Sequence, residues 1–336
     1  MKERINAKSI IVLAIALLTV VYFWLSGDLE SRVLGGDLFP EPTENIGQGP
    51  SAQPTEKPSS SDKVTEKPSP SEQPTEKPSP NPTTRPRTLE VHFIDVGNGD
   101  SIFIRTPSKD ILIDGGERNS KAFDYLISLG IDELDLVIGT HPHSDHIGGL
   151  VKVLENIRVK QLMDPGVVHT SKTYEDYLTL IYEKDILYTN VKAGVKLSLD
   201  NETSLEILHP THIEGKDLNN VSVVTRLVYN KISFLFTADA EIVSEQEILA
   251  QGYNVASTIL KAGHHGSSTS TGDDFLKAVN PKVVVISCGQ DNSYGHPHQE
   301  TLDKLEALDI DVYRTDELGS IIIETDGKNY IVKTER

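Results

Sequence analysis

The segment His141-Pro-His-Ser-Asp-His146 sets four metal-competent side chains within six residues. His141 and His143 alternate as on an extended segment and can chelate one ion, while Asp145 and His146, at the turn that follows, can face a second. A buried group of imidazoles and a carboxylate is costly unless it is paired or metallated. Two later runs deliver the same kinds of residue. Ile232-Ser-Phe-Leu-Phe-Thr-Ala-Asp239 ends in a carboxylate, and Thr258-Ile-Leu-Lys-Ala-Gly-His264-His265-Gly266 ends in two imidazoles. Taken singly, Asp239 fits a helix N-cap and the histidine pair a surface turn; beside the first cluster they complete a two-cation set. Asp114, which ends Ile111-Leu-Ile-Asp-Gly-Gly, is expected to support a ligating histidine. Two cations about 3.5 to 4 Å apart would hold a hydroxide at neutral pH and neutralise charge developing on a phosphoryl or acyl oxygen, with Asp145 orienting the attacking water. His296 is a candidate to protonate a leaving group or bind a phosphate oxygen, and Lys261 to bind an anionic substrate. A nitrogen and oxygen donor set of this kind suits Zn, Mn and Fe alike.

Elements must carry these residues. Strand-like runs are 89–96, 101–106, 110–114, 134–140, 205–209, 221–229, 232–237, 256–262, 282–287 and 319–324. Helical periodicity occupies 120–129, 149–157, 244–251 and 299–308. Strands dominate early and helices interleave, which predicts an α/β (α+β) domain of stacked sheets flanked by helices, with the chemistry at strand ends.

His141-x-His143-x-Asp145-His146 after a Thr, with Asp239 and His265 downstream, resembles the metallo-β-lactamase superfamily. His92-Phe-Ile-Asp95-Val-Gly-Asn-Gly-Asp100-Ser, Leu260-Lys-Ala-Gly-His-His-Gly-Ser267 and Tyr294-Gly-His296-Pro-His298 are similar to the soluble metallo-hydrolase domain of the ComEC/Rec2 competence proteins. That likeness covers nearly all of 89–324. It implies a four-layer αββα sandwich with two divalent metal ions, Zn or Mn, at one edge. The activity it implies is phosphodiesterase or nuclease, with a metal-bound hydroxide as nucleophile. Carried over residue by residue, His141 and His143 match the first-metal histidines, Asp145 and His146 the second-metal pair, and Asp239 the bridging carboxylate. His265 is preferred as the last ligand because Gly266 follows it as in the wider superfamily, and His264 is the second choice. Asp95, Asp114, Asn219 and Asn220 are expected around the ligands, and Lys261 and Ser267 on the substrate side. Lactamases of this fold have another histidine between the first cluster and the bridging aspartate; here the region reads Leu218-Asn-Asn-Val-Ser222, which resembles the ComEC pattern and disfavours β-lactamase activity. Ala238 stands where the family usually shows Gly.

The remainder of the 336 residues is of a different kind. Lys2, Arg4 and Lys8 precede an uncharged run, Ile10 to Leu25, so residues 1–27 are expected to form a single-pass membrane anchor that leaves the rest of the chain extracytoplasmic. A cleaved signal peptide, giving a secreted protein, is the alternative. Residues 28–87 form a disordered linker rich in Pro, Thr, Glu, Lys and Ser; it holds 12 of the 18 prolines and repeats Pro-Thr-Glu-Lys-Pro-Ser. Extended, its Pro-rich part reaches on the order of 150 Å. The hydrolase domain is then 88–336. The chain carries -18, of which -17 falls on this domain, so a broad basic face for nucleic acid is excluded. The expected partner is a phosphodiester, with DNA or RNA as the inherited guess. A smaller ester, a thioester, a lactone, a wall phosphoester, or a noncatalytic metal-binding surface module are the alternatives. Cys288 is alone, which excludes a disulfide framework, and no protein partner is inferred.

Overall fold

Alternating apolar side chains build two facing sheets in the computed structural model of the protein, in which residues 88–336 are described. The expected anchor and linker lie outside the described residues. The first sheet contains β1 (Leu89–Phe93), β2 (Ile102–Arg105), β3 (Asp110–Ile113), β4 (Glu133–Ile138), β5 (Arg158–Asp164), β6 (Leu187–Asn190), β14 (Ile321–Thr325) and β15 (Tyr330–Thr334). Its order is β15-β14-β1-β2-β3-β4-β5-β6. The second contains β7 (Lys196–Ser198), β8 (Thr203–His209), β9 (Val224–Tyr229), β10 (Ile232–Phe236), β11 (Ile259–Lys261), β12 (Val283–Ile286) and β13 (Asp311–Arg314), in the order β13-β12-β11-β10-β9-β8-β7. From β3 to β6 and from β10 to β13 neighbouring strands run parallel. Side chains at the carboxyl ends of parallel strands converge, and in α/β sheets that is where ligands bind.

The period-two pattern divides the apolar residues between three cores. Ile102 and Ile104, Ile111 and Ile113, Phe234 and Phe236, and Val283 and Val285 pack between the sheets. The intervening Phe103 and Leu112 face outward to α1 (Ala122–Ser128), α2 (Ser144–Asn156) and α3 (Lys172–Glu183). Leu235, Leu260 and Val284 do the same toward α4 (Ile242–Ala250), α5 (Asp273–Val279) and α6 (Gln299–Ala307). A short α7 (Thr315–Leu318) completes seven helices among the described residues. Each fully buried Phe or Leu contributes roughly 1.5–3 kcal/mol, so the central layer fixes how the two sets of strand ends meet.

The structure adds elements that the hydrophobic pattern does not reveal. In α3 two of the three buried positions are Tyr174 and Tyr177, so its apolar stripe is disguised by hydroxyls. The outer strands β6, β7, β13 and β15 are short or exposed, and α5 is two turns long. The helix expected from Gly149 starts instead at Ser144, within the histidine motif.

Candidate metal centre

Four strand ends and one helix start supply the side chains. After β4 the chain bends at His141 and Pro142, and His143, in extended conformation, is the N-cap of α2. Asp145 and His146 therefore occupy the first helical turn, where the helix dipole favours a carboxylate. The helix can sit this close because residue 149 is glycine: a Cβ there would meet the Gly115 carbonyl oxygen at 1.9 Å. That approach seats Asp114, at the end of β3, against His146, Oδ2 to Nδ1 at 2.8 Å. The β1–β2 loop closes over the same turn, and at Gly99, φ +125°, a Cβ would lie 2.1 Å from the Asp145 carbonyl oxygen.

From the second sheet come Asp239, three residues past β10, and the 3-10 turn Gly263–Gly266 past β11. The two oxygens of Asp239 face different partners. Oδ1 lies 3.2 Å from His146 Nε2 and 3.4 Å from His265 Nε2, which is itself 3.5 Å from Asp145 Oδ2. Oδ2 lies 3.7 Å from His141 Nε2 and 3.8 Å from His264 Nε2. His141 Nε2 is 3.0 Å from His143 Nδ1. Asp145, His146, Asp239 and His265 thus present one donor atom each within 4.8 Å of one another, as do His141, His143 and Asp239.

The donor chemistry fits divalent cations. His146 Nε2, His265 Nε2 and Asp239 Oδ1 are buried, and none has a hydrogen-bond partner although they face one another. Ring nitrogens and a carboxylate oxygen gathered within 4.8 Å of one another and otherwise unpartnered are a donor set that a cation satisfies. The far nitrogens are anchored: His265 Nδ1 to the Ser287 carbonyl at 3.0 Å, His146 Nδ1 to Asp114, and His141 Nδ1 beside Thr140 Oγ1 at 3.1 Å and Ser222 Oγ at 3.4 Å. Anchoring of this kind fixes ring orientation and tautomer at metal sites. Electrostatics point the same way. Burial works to lower His265 and His146, yet Asp239, with Asp100 and Asp145 at His265 and Asp114 at His146, outweighs it. His265 is pushed up to about 9, and His146 well above its ordinary value. Burial, reinforced by His146, holds His141 well below its ordinary value. The carboxylates draw positive charge into a dry site, and cations would displace those protons on binding.

Most of the expected ligands therefore meet; the surrounding residues are partly redistributed. Asp114 contacts His146 as expected and also accepts from the Thr140 hydroxyl at 2.6 Å. Asp95 does not reach the ligands; its contacts are the Gly97 amide, Ser320 and Arg336, so it ties down the C-terminal end. Asn220 is occupied by Asp217, Glu241 and Ser244, and Asn219 forms a 3-10 turn with its side-chain oxygen buried and unpartnered. Lys261, expected at the substrate, is fully buried: β11 is covered on both faces, and Nζ binds Asp100 Oδ2 at 2.6 Å and the Ala238 carbonyl at 3.1 Å. Ser267 is buried too, its hydroxyl turned to Thr269. Neither side chain is open to solvent in this arrangement. His296 stands at the rim, its ring 5.3 Å from that of His264, and burial together with the neighbouring imidazoles lowers it to about 4. It is neutral at neutral pH and so offers a ring nitrogen, not an imidazolium, to a substrate oxygen. Three contributors, Thr140, Ser222 and Asp100, stand within the sequence motifs but are given no role there. Asp100 lies in Gly-Asn-Gly-Asp, where the glycines mark a close backbone approach.

The backbone at Ala238 accounts for the Gly usual at this position. Its φ is +47°, a left-handed conformation that disfavours a Cβ, and its carbonyl accepts from both the His264 amide and Lys261. Ala238→Gly removes roughly 1–2 kcal/mol of backbone strain and costs about 0.5–1 kcal/mol in unfolded-state entropy. The variant should gain up to about 1.5 kcal/mol in urea denaturation; a loss would contradict the conformation.

Comparison with known proteins bears on the same residues. The Metallo-beta-lactamase superfamily model matches residues 94–290. ComE operon protein 3 of Bacillus subtilis is 33% identical over 252 residues, covering 69% of this chain and 32% of that protein. Competence protein ComA of Neisseria gonorrhoeae is 29% identical over 231 residues, covering 68% and 31%. The chain thus spans about a third of the length of these ComEC-type relatives. Among solved structures, the metallo-beta-lactamase fold protein YhfI from Bacillus subtilis aligns with TM-score 0.48 at 15% identity, over 71% of this chain and 99% of that one. With the match over 94–290 enclosing every donor residue of the two groups, the chain belongs to the metallo-beta-lactamase superfamily.

Proposed function

We propose that the protein is a metal-dependent phosphodiesterase of nuclease type, anchored by residues 1–27 and holding domain 88–336 outside the cytoplasm on the 28–87 linker. The observation that carries the catalytic part is the convergence of His146 Nε2, His265 Nε2 and Asp239 Oδ1, buried and unpartnered, beside the second group formed by His141 and His143. We assign His141, His143 and Asp239 to one cation, and Asp145, His146, Asp239 and His265 to the other. A divalent pair bound there supplies Lewis acidity toward a phosphoryl oxygen and activates water at neutral pH. Asp145 orients water: its side chain is 21% exposed, against 2% for Asp239, so it alone of the two can both face the centre and meet solvent. The imidazoles of His265 and His146 outweigh burial and hold its carboxyl below the usual range, so it stays ionised and can accept a hydrogen bond from a water. His296 places a neutral ring nitrogen at the rim. Tyr294, exposed and stacked on His296 at 5.8 Å, adds a flat surface on which a base can lie.

Competence appears in the name of a relative, which favours nucleic acid. The -17 charge favours short or small phosphodiesters, because attraction to a long polyanion would rest on the cations alone. The test loads the purified full chain with Zn or Mn and offers bis-p-nitrophenyl phosphate, single-stranded and duplex DNA, and nitrocefin. Phosphodiester turnover that falls at least 100-fold in Asp145→Asn is expected. Turnover of nitrocefin alone, or of nothing by metal-loaded protein, removes the proposal.

A further inference from the structure

We propose that His264 and His265 are both metal ligands, one on each side of Asp239, so that His264 completes the group formed by His141 and His143. The assignment rests on the two-cation reading above and goes beyond it, since that reading uses His265 alone. Four observations carry it. His264 Nε2 lies 3.8 Å from Asp239 Oδ2, the oxygen that also faces His141 at 3.7 Å, whereas His265 Nε2 addresses Oδ1. One cation about 2.0–2.2 Å from each donor spans separations of that size, and because His264 stands outside the group whose donors already lie within 4.8 Å of one another, its ring must close on the ion to join His141 and His143. The backbone enforces the split: His264 (φ 46°, ψ 50°) and His265 (φ 55°, ψ 26°) are consecutive left-handed residues. Such a pair is costly for residues with a Cβ, and strain of this kind persists at functional sites. It splays the two rings to an interplanar angle of 66°. The far nitrogen of His264 is held as those of His141, His146 and His265 are, with Nδ1 at 3.3 Å from Thr269 Oγ1 and 3.6 Å from Glu241 Oε1. Finally, the segment Asn219–Ser222 sends no imidazole to that side, so without His264 the first group has three protein donors and the second has four. His264 is also the most accessible of these rings, 23% exposed against 0–1% for His141, His146 and His265, which leaves it room to close on an ion.

Metal content is read directly. The purified full chain, His264→Ala, His264→Gln and His265→Ala are stripped, equilibrated with ZnCl2 against a chromophoric chelator, and counted by elemental analysis. Wild type is expected to hold two ions. Each His264 variant should keep one tightly and bind the other at least 100-fold more weakly, and His265→Ala should likewise lose one. The metal-free His264 variants should melt with metal-free wild type; Gln preserves bulk should Ala loosen the turn. Two tightly held ions in both His264 variants overturn the assignment, as does a wild type that holds fewer than two. Two ions in wild type without phosphodiester turnover would end the proposed function and leave this assignment standing.

Discussion

Asp239→Ala is expected to release both ions and to lower phosphodiester turnover by on the order of 10³-fold or more. The reasoning is geometric. Asp239 is 2% exposed, and its two oxygens lie 3.2–3.8 Å from His146, His265, His141 and His264. No other carboxylate is common to both donor groups among the described residues. Removing a residue that only supports a ligand costs about 10–100-fold in metal affinity or activity, and that is the effect expected of Asp114→Asn, since Asp114 acts through His146. A shared ligand affects two ions at once, so the losses compound. Metal analysis and kcat/KM on bis-p-nitrophenyl phosphate read both. One retained ion with a loss of about tenfold would show that Asp239 does not bridge.

Lys261→Met is expected to destabilise the fold by about 3–5 kcal/mol, because it strands Asp100 as an uncompensated buried charge. Asp100 and Lys261 are 2% and 0% exposed, and their 2.6 Å contact lies behind His265, whose Nδ1 is 3.6 Å from Asp100 Oδ1. Burial opposes ionisation of Asp100, yet Lys261, with His265, holds its carboxyl well below the ordinary 3.8. The stabilisation from this depressed carboxylate is present above its unfolded value and is lost as pH falls toward the folded one. The deficit of Lys261→Met should therefore narrow in acid. Adding Asp100→Asn should recover much of the loss at pH 7, because an absent ion pair is cheaper than half of one. Urea denaturation of the four proteins of the cycle at pH 7 and pH 4 measures this, and purely additive losses would place Lys261 and Asp100 outside each other's influence.

The two-sheet plan and the clustering of the donors were legible because their signals are local: short apolar runs at β2, β3, β10 and β12, and six donors that follow directly on apolar runs. Lys261 misled because a cation implies solvent, and only the packing of β11 between the facing sheet, through Ile259, and the outer helices, through Leu260, shows that both faces are covered. Asp95 is decided by Arg336, 241 residues away, which no spacing discloses. The division of His264 from His265 depends on two dihedral angles, and neighbouring identical letters cannot express it. Gly148-Gly149 hid the true start of α2, since glycine weakens a helical pattern where backbone contact demands it.

The centre draws His141 to His146 from the end of β4 in one sheet and Asp239 to His265 from the ends of β10 and β11 in the other. Bound ions would therefore act as cross-links between the two halves of the sandwich, adding RT ln(1 + [M]/Kd) to its stability by mass action. Melting temperature then becomes a property of the surrounding free metal as much as of the chain. Starvation for the ion would loosen the seam between the sheets before it touched either sheet alone.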